Sequence, residues 1–171
     1  MLGNAEVFEV DAPHTQKEKI GVLRDNNIDT RHVRFVPVDL ETDDLAEALV
    51  NSGFDKERRS LFLWEGVTLY LTPEAVMSTL SRIASVSCSG SVLAFDYLNS
   101  EPIGTTVKKD EVVLYGMKKE SMAEEVGRYG FTVTENFDPF ERGGDLSLPD
   151  SWQIPENTGR VMNFIKLCYN E

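Results

Sequence analysis

Acidic residues stand where the short apolar runs of this chain end. The first run closes on Glu9-Val10-Asp11, the second on Asp39-Leu40, the third on Glu65-Gly66 and the fourth on Asp96-Tyr97. A carboxylate in such a place can accept two hydrogen bonds from ribose hydroxyls, or one from an exocyclic adenine amine. A single acid after a strand is equally a helix cap, but four in series point to a nucleoside-like ligand. Other chemistries have less support. The serines lack a G-x-S-x-G setting, His14 and His32 have no patterned partner, and neither an HExxH helix nor an EF-hand loop occurs. Cys88 and Cys168 have no CxxC spacing, so they read as buried free thiols in a reducing compartment and no metal is expected. Trp64, Tyr70 and Tyr97 could stack on a ligand, although aromatics at strand ends more often belong to a core. Among the 12 glycines there is no G-x-G, the usual start of a phosphate-cradling turn.

The elements that would carry these acids alternate. Strand-like runs at 6–10 and 33–38 flank a helix that opens with Pro13 and runs through Gln16, Lys19, Ile20 and Leu23. Pro37 cannot donate to a ladder, which suggests an edge or a bulge. A second helix follows, with Thr42 as its cap and Leu45, Leu49 and Val50 as its inner face. Leu61-Phe62-Leu63-Trp64 is apolar on both faces, as in a central parallel strand covered by helices. Thr72-Pro73-Glu74 has the cap, proline and acid of a helix start, and Val76, Leu80, Ile83 and Ala84 repeat behind it at helical spacing. A strand is expected over 91–95, a helix over about 119–128 with Met122 and Val126 inward, and strands over 130–134 and 161–167. An irregular loop is expected over 136–158. The order β-α-β-α-β-α-β-α-β-loop-β gives a mostly parallel α/β sheet with helices on both faces, its last two strands forming an antiparallel pair at one edge.

Composition bounds the rest. The chain has 171 residues, 41% hydrophobic and 27% charged, enough for one domain over 1–171. No apolar run approaches the roughly 18 residues of a membrane span, and the N-terminus has no basic n-region or long apolar stretch. A soluble, cytoplasmic protein is expected, without membrane contact. The formal charge of −12 argues against nucleic acid as a partner, because that role needs a basic face.

Three segments together resemble the leucine carboxyl methyltransferase family of S-adenosylmethionine-dependent O-methyltransferases. Phe8 to Lys19 resembles its acidic-strand motif, and Val38-Asp39-Leu40 its "VDL". The third and most specific, Leu63-Trp64-Glu65-Gly66-Val67-Thr68-Leu69-Tyr70-Leu71, is similar to its "W/AEGV-x-x-YL". Gly90 to Tyr97 and Gly130-Phe131 fall in order behind them. The resemblance implies a Rossmann-like class I methyltransferase sheet of order 3-2-1-4-5-7-6, with S-adenosyl-L-methionine as cofactor. By motif, Asp11 would hold the ribose hydroxyls, with Glu9 the lesser candidate. Asp39 and Leu40 would hold the adenine, and Glu65 would line the pocket near the methionine part. The acceptor would be a small molecule or a protein carboxylate, taking the methyl group on a carboxyl or hydroxyl oxygen. A nicotinamide-dependent oxidoreductase is a weaker reading of the same strand-end acids.

One part of the family pattern is missing. Members carry an earlier strand with a "G-x-G-x-DTR" loop and helices before it. Asp29-Thr30-Arg31 copies the last three letters but lacks the glycines and precedes the wrong strand. The expectation is therefore an N-terminally truncated domain without its first strand. It would be either an enzyme or a non-catalytic remnant or binding subunit of the same fold. Losing a central strand would leave Val7–Val10 to pair directly with Leu61–Trp64, or leave open edges that favour a two-fold homodimer.

Overall fold

A computed structural model describes residues 5–99, 106–108, 111–138 and 162–170. Its elements follow the expected order with one addition. The chain runs β1 (Val7–Asp11), α1 (Pro13–Asp25), β2 (Val33–Pro37), α2 (Leu45–Asn51), β3 (Leu61–Trp64), a 3-10 turn (Thr68–Tyr70), α3 (Pro73–Ser85) and β4 (Val92–Leu98). The added hairpin, β5 (Thr106–Lys108) and β6 (Glu111–Val112), precedes α4 (Lys119–Gly127), β7 (Phe131–Phe137) and β8 (Met162–Tyr169). Of the expected loop, 139–158 lies outside the described residues.

The strands form two main sheets. β1 and β2 pair in parallel, with Asp11 opposite Pro37. The second sheet has the order β3-β4-β8-β7: β3 and β4 are parallel, and β8 runs antiparallel to both β4 and β7. The antiparallel strand thus sits one place in from the edge. Pro37 closes β2, the outer strand of its pair, where its missing N–H breaks no ladder. Between β1 and β3 there is no pairing, so the direct closure weighed from the sequence is not adopted.

Local signals explain most boundaries. Thr72 caps α3, its hydroxyl accepting from the Ala75 N–H at 3.2 Å, with Pro73 in the first turn. Val76, Leu80, Ile83 and Ala84 are all buried, as their spacing predicts. They pack in one core with Leu93, Phe95, Met122, Val126 and Leu167. At α2 the cap is Asp44, not Thr42. The Asp44 carboxylate accepts from the N–H groups of Ala46 and Glu47, while the Thr42 hydroxyl bonds Asp43. With only seven residues, α2 buries Leu45 and Leu49, one turn apart, and leaves Val50 exposed. β3 also departs from expectation. Trp64 is buried, but Leu61 and Leu63, on the opposite face, are 64% and 65% exposed. Cys88 and Cys168 are free thiols, half-buried rather than buried. Among the described residues no helix is long and apolar enough to cross a membrane.

Candidate functional site

Parallel pairing of β1 with β2 brings the first two acidic strand ends together. Asp11 lies opposite Pro37, and its carbonyl accepts the Val38 N–H at 2.9 Å, which sets Asp39 and Leu40 just beyond the end of β1. Asp11, Ala12, Asp39 and Leu40 then share the wall of one cavity of about 650 Å³, which Trp64 and Leu71 also line. Three of the five residues picked from sequence are therefore in one wall. Glu9 and Glu65 are outside it.

Each acid is held differently. Asp39 Oδ1 accepts the Glu41 N–H at 3.0 Å, and the Asp39 N–H donates to Asp43 at 2.8 Å. This pins the turn and leaves Asp39 Oδ2 without a bond among the described residues. Asp11 is more engaged: Oδ1 accepts the Ala12 N–H at 2.8 Å and Oδ2 pairs with Lys19 Nζ at 2.7 Å. Each carboxylate oxygen keeps a second lone pair for a hydroxyl. Glu9 points to α1, where Lys19 pairs with it and Gln16 donates to it at 2.8 Å. Gln16 is buried on the inner side of α1 for this contact. Partial burial pulls the Lys19 ammonium down, but the Asp11 and Glu9 carboxylates outweigh it and hold its pKa above the usual 10.5. Lys19 therefore stays charged and cancels part of the negative field at the mouth of the cavity.

At the third strand end, Glu65 is exposed on the turn after β3. Gly66 follows it with φ +70°, a conformation that suits glycine. That turn is fastened by Asp96, which the sequence puts at a strand end but which lies inside β4, two residues before its end, because pairing with β8 carries the strand on to Leu98. The Asp96 carboxylate accepts the Gly66 N–H at 2.9 and 3.0 Å, and its carbonyl accepts the buried Thr68 hydroxyl at 2.6 Å. Asp96 is 8% exposed. Burial pushes its carboxyl up, against the Gly66 N–H that favours its charged form. The sequence showed Asp96 as a strand-end acid, but nothing local tied it to Gly66, 30 positions away.

Further along the same carboxyl edge lies a buried polar cluster. The Tyr97 hydroxyl donates to Asn136 at 3.0 Å, and the Asn163 amide reaches both at 3.4 and 3.1 Å. It joins β4, β7 and β8, so only the strand order reveals it. Of the aromatics considered for stacking, Trp64 and Tyr97 are core residues and Tyr70 is exposed. Asp29-Thr30-Arg31 forms a surface turn, with Arg31 paired to Asp29 at 2.9 Å. No group of three His, Cys, Asp or Glu suited to a metal occurs among the described residues.

Comparison with known proteins agrees with this architecture. Residues 1–84 match the family model described as leucine carboxyl methyltransferase. A Mycobacterium marinum protein named as an S-adenosyl-L-methionine-dependent methyltransferase is 39% identical over 92% of this chain and 50% of its own length. A Bacillus subtilis protein of the same naming, YktD, is 33% identical over 76% of this chain and 42% of its own. The chain spans about half the length of these curated relatives. Among solved structures, Burkholderia thailandensis 1,6-didemethyltoxoflavin-N1-methyltransferase, crystallised with its 1,6-didemethyltoxoflavin and S-adenosylhomocysteine, superposes with a TM-score of 0.56. The match covers 97% of this chain and 62% of that one at 16% identity, a likeness of fold alone. With a Rossmann-like sheet, acids at its strand ends and relatives at this identity, the chain belongs to the leucine carboxyl methyltransferase family of S-adenosyl-L-methionine-dependent methyltransferases.

Proposed function

We propose that this chain carries the adenosine-binding half of an S-adenosyl-L-methionine-dependent O-methyltransferase acting on a carboxyl or hydroxyl acceptor. The observation that carries the reading is the shared wall of Asp11, Asp39 and Leu40 at the carboxyl ends of two paired parallel strands. The donor set suits the group. Carboxylates match ribose hydroxyls and an adenine amine, and the apolar side chains of Val38, Leu40 and Leu71 lining the same cavity match the base. Asp11 would take the ribose, with Lys19 keeping its carboxylate aimed. Asp39 would take the adenine by its free oxygen, and Leu40 by its backbone and side chain. Glu65 would stand toward the methionine part, on a turn that Asp96 fixes through Gly66. Glu9 would act at one remove, by orienting Lys19.

When bound, the cofactor supplies an electrophilic methyl group on a sulfonium. Displacement there needs alignment with the acceptor oxygen more than a proton shuttle. That accords with a site built, among the described residues, of positioning contacts. The acceptor would be a small molecule or a protein carboxylate.

Calorimetric titration with S-adenosylhomocysteine tests the reading. The expected result is saturable binding that Asp39→Ala weakens by about tenfold or more, the loss of one good hydrogen bond to a charged group. No heat at about millimolar ligand, from protein that melts cooperatively, would sink it and leave the non-catalytic binding subunit as the account of this chain.

A further inference from the structure

Glu65 differs from the other acids of the candidate site in what holds it. Lys19 aims the Asp11 carboxylate, and the Glu41 N–H pins that of Asp39. The Glu65 carboxylate is exposed and makes no hydrogen bond or ion pair among the described residues. Its direction is therefore set by its backbone. The ladder between β3 and β4 ends at Trp64, opposite Phe95, so Glu65 lies one residue past the last strand pairing.

Beyond that point the backbone is held from β4 by one residue. Both Asp96 carboxylate oxygens accept the Gly66 N–H, and the Asp96 carbonyl accepts the Thr68 hydroxyl. Asp96 thus grips the turn on either side of Val67. The remaining bonds of the turn lie further on: the Tyr70 N–H donates to the Val67 carbonyl at 3.0 Å, and the Leu114 N–H to the Leu69 carbonyl at 2.8 Å. Neither reaches Glu65 or Gly66. Packing does not shape this corner either, because a Cβ on Gly66 would meet nothing within 4 Å. The left-handed conformation of Gly66 and the Asp96 grip are what fix it.

A carboxylate holds this turn at a cost to stability. Burial disfavours its charge, and so does the neighbouring Glu65 carboxylate, while the Gly66 N–H favours it. In return, an ionised acceptor holds an N–H about twice as strongly as a neutral one. Stability is given up in this way chiefly where a site needs a fixed geometry.

We infer that in the cofactor site proposed above, a reading on which this inference rests, Asp96 is the positioning residue for Glu65. By holding Gly66 and Thr68 it presents the Glu65 carboxylate to the methionine part of the cofactor, whose ammonium a carboxylate can accept. Asp96 acts through the turn and not by contact with the cofactor.

The test compares two ligands on the whole chain by calorimetry. One is S-adenosylhomocysteine. The other is 5′-methylthioadenosine, which has the same adenosine half and no amino-acid part. Asp96→Ala should weaken S-adenosylhomocysteine by about tenfold or more and leave methylthioadenosine within about twofold, because Asp11 and Asp39 stand on a different pair of strands. Asp96→Asn, which keeps one acceptor oxygen, should fall between the parent and Asp96→Ala. Thr68→Val removes only the second hold and should shift the same ligand in the same direction, even if Asp96→Ala does not fold. Without ligand, exchange of the Gly66 amide, read by NMR, should speed up by about tenfold or more in Asp96→Ala. Equal weakening of both ligands, or of neither, would overturn the inference and leave the cofactor reading in place. So would Asp96→Asn as weak as Asp96→Ala, or an unchanged Gly66 amide. A parent chain that binds neither ligand would overturn both.

Discussion

Thr72 joins the two main sheets, which no strand pairing connects among the described residues, and its removal has a calculable cost. Its hydroxyl accepts the Ala75 N–H at 3.2 Å as the cap of α3, and also donates to Glu41 at 2.9 Å. Its backbone N–H donates to the other Glu41 oxygen at 2.8 Å. Glu41 follows β2 and Thr72 follows β3, so these bonds clamp the two sheets at their carboxyl ends. Thr72→Ala keeps the backbone bond and loses both hydroxyl bonds. The cap is worth about 1 kcal/mol. The bond to an exposed carboxylate adds about 0.5 kcal/mol, because water replaces it readily. Urea unfolding should therefore show a loss of about 1.5 kcal/mol, a midpoint lower by roughly 0.7 M at a slope near 2 kcal/mol per M. Thr72→Ser restores the hydroxyl and should stay within about 0.5 kcal/mol of the parent. Combined with Glu41→Ala, the double-mutant cycle should show a coupling of about 0.5 kcal/mol. A Thr72→Ala variant as stable as the parent, or a serine variant as weak as the alanine, would refute the capping and clamping argument.

Three further outcomes follow from the same geometry. Leu80, 1% exposed at the centre of the core, should cost about 2–5 kcal/mol when replaced by alanine, read by thermal or urea unfolding. Asp96 has a folded-state pKa above its ordinary value because it is buried, so the folded state binds its proton more readily than the unfolded chain does and stability falls as pH rises from about 4. Asp96→Asn, which keeps an acceptor for the Gly66 N–H, should gain on the parent above that pH and lose its advantage below it; an advantage independent of pH would exclude burial of charge as the cause. Val50→Ser should change stability by less than about 0.5 kcal/mol, whereas Leu49→Ala should cost 2 kcal/mol or more, because Leu49 is buried and Val50 is on the solvent side of α2.

The amino-acid sequence determined the features that act over a few residues. The spacing of Val76, Leu80, Ile83 and Ala84 fixes the buried face of α3, and Thr72-Pro73 fixes its start, because helix periodicity and capping are local. The alternation of runs gave the parallel units and the antiparallel final pair, and Asp11, Asp39 and Leu40 were marked by where those runs stop. The cap of α2 is Asp44 where the sequence pattern suggests Thr42, since three neighbouring oxygen-bearing residues compete for the same N–H groups and packing selects among them. Tertiary structure alone decided what depends on which strands lie side by side. It put Asp11 and Asp39 in one wall and turned Glu9 toward Lys19. It also tied Asp96 to Gly66 and placed β8 between β4 and β7. The exposure of Leu61 and Leu63 belongs to the same class. Their run reads as a strand covered on both faces, but burial is set by neighbours from other parts of the chain, and among the described residues β3 is the edge strand of its sheet.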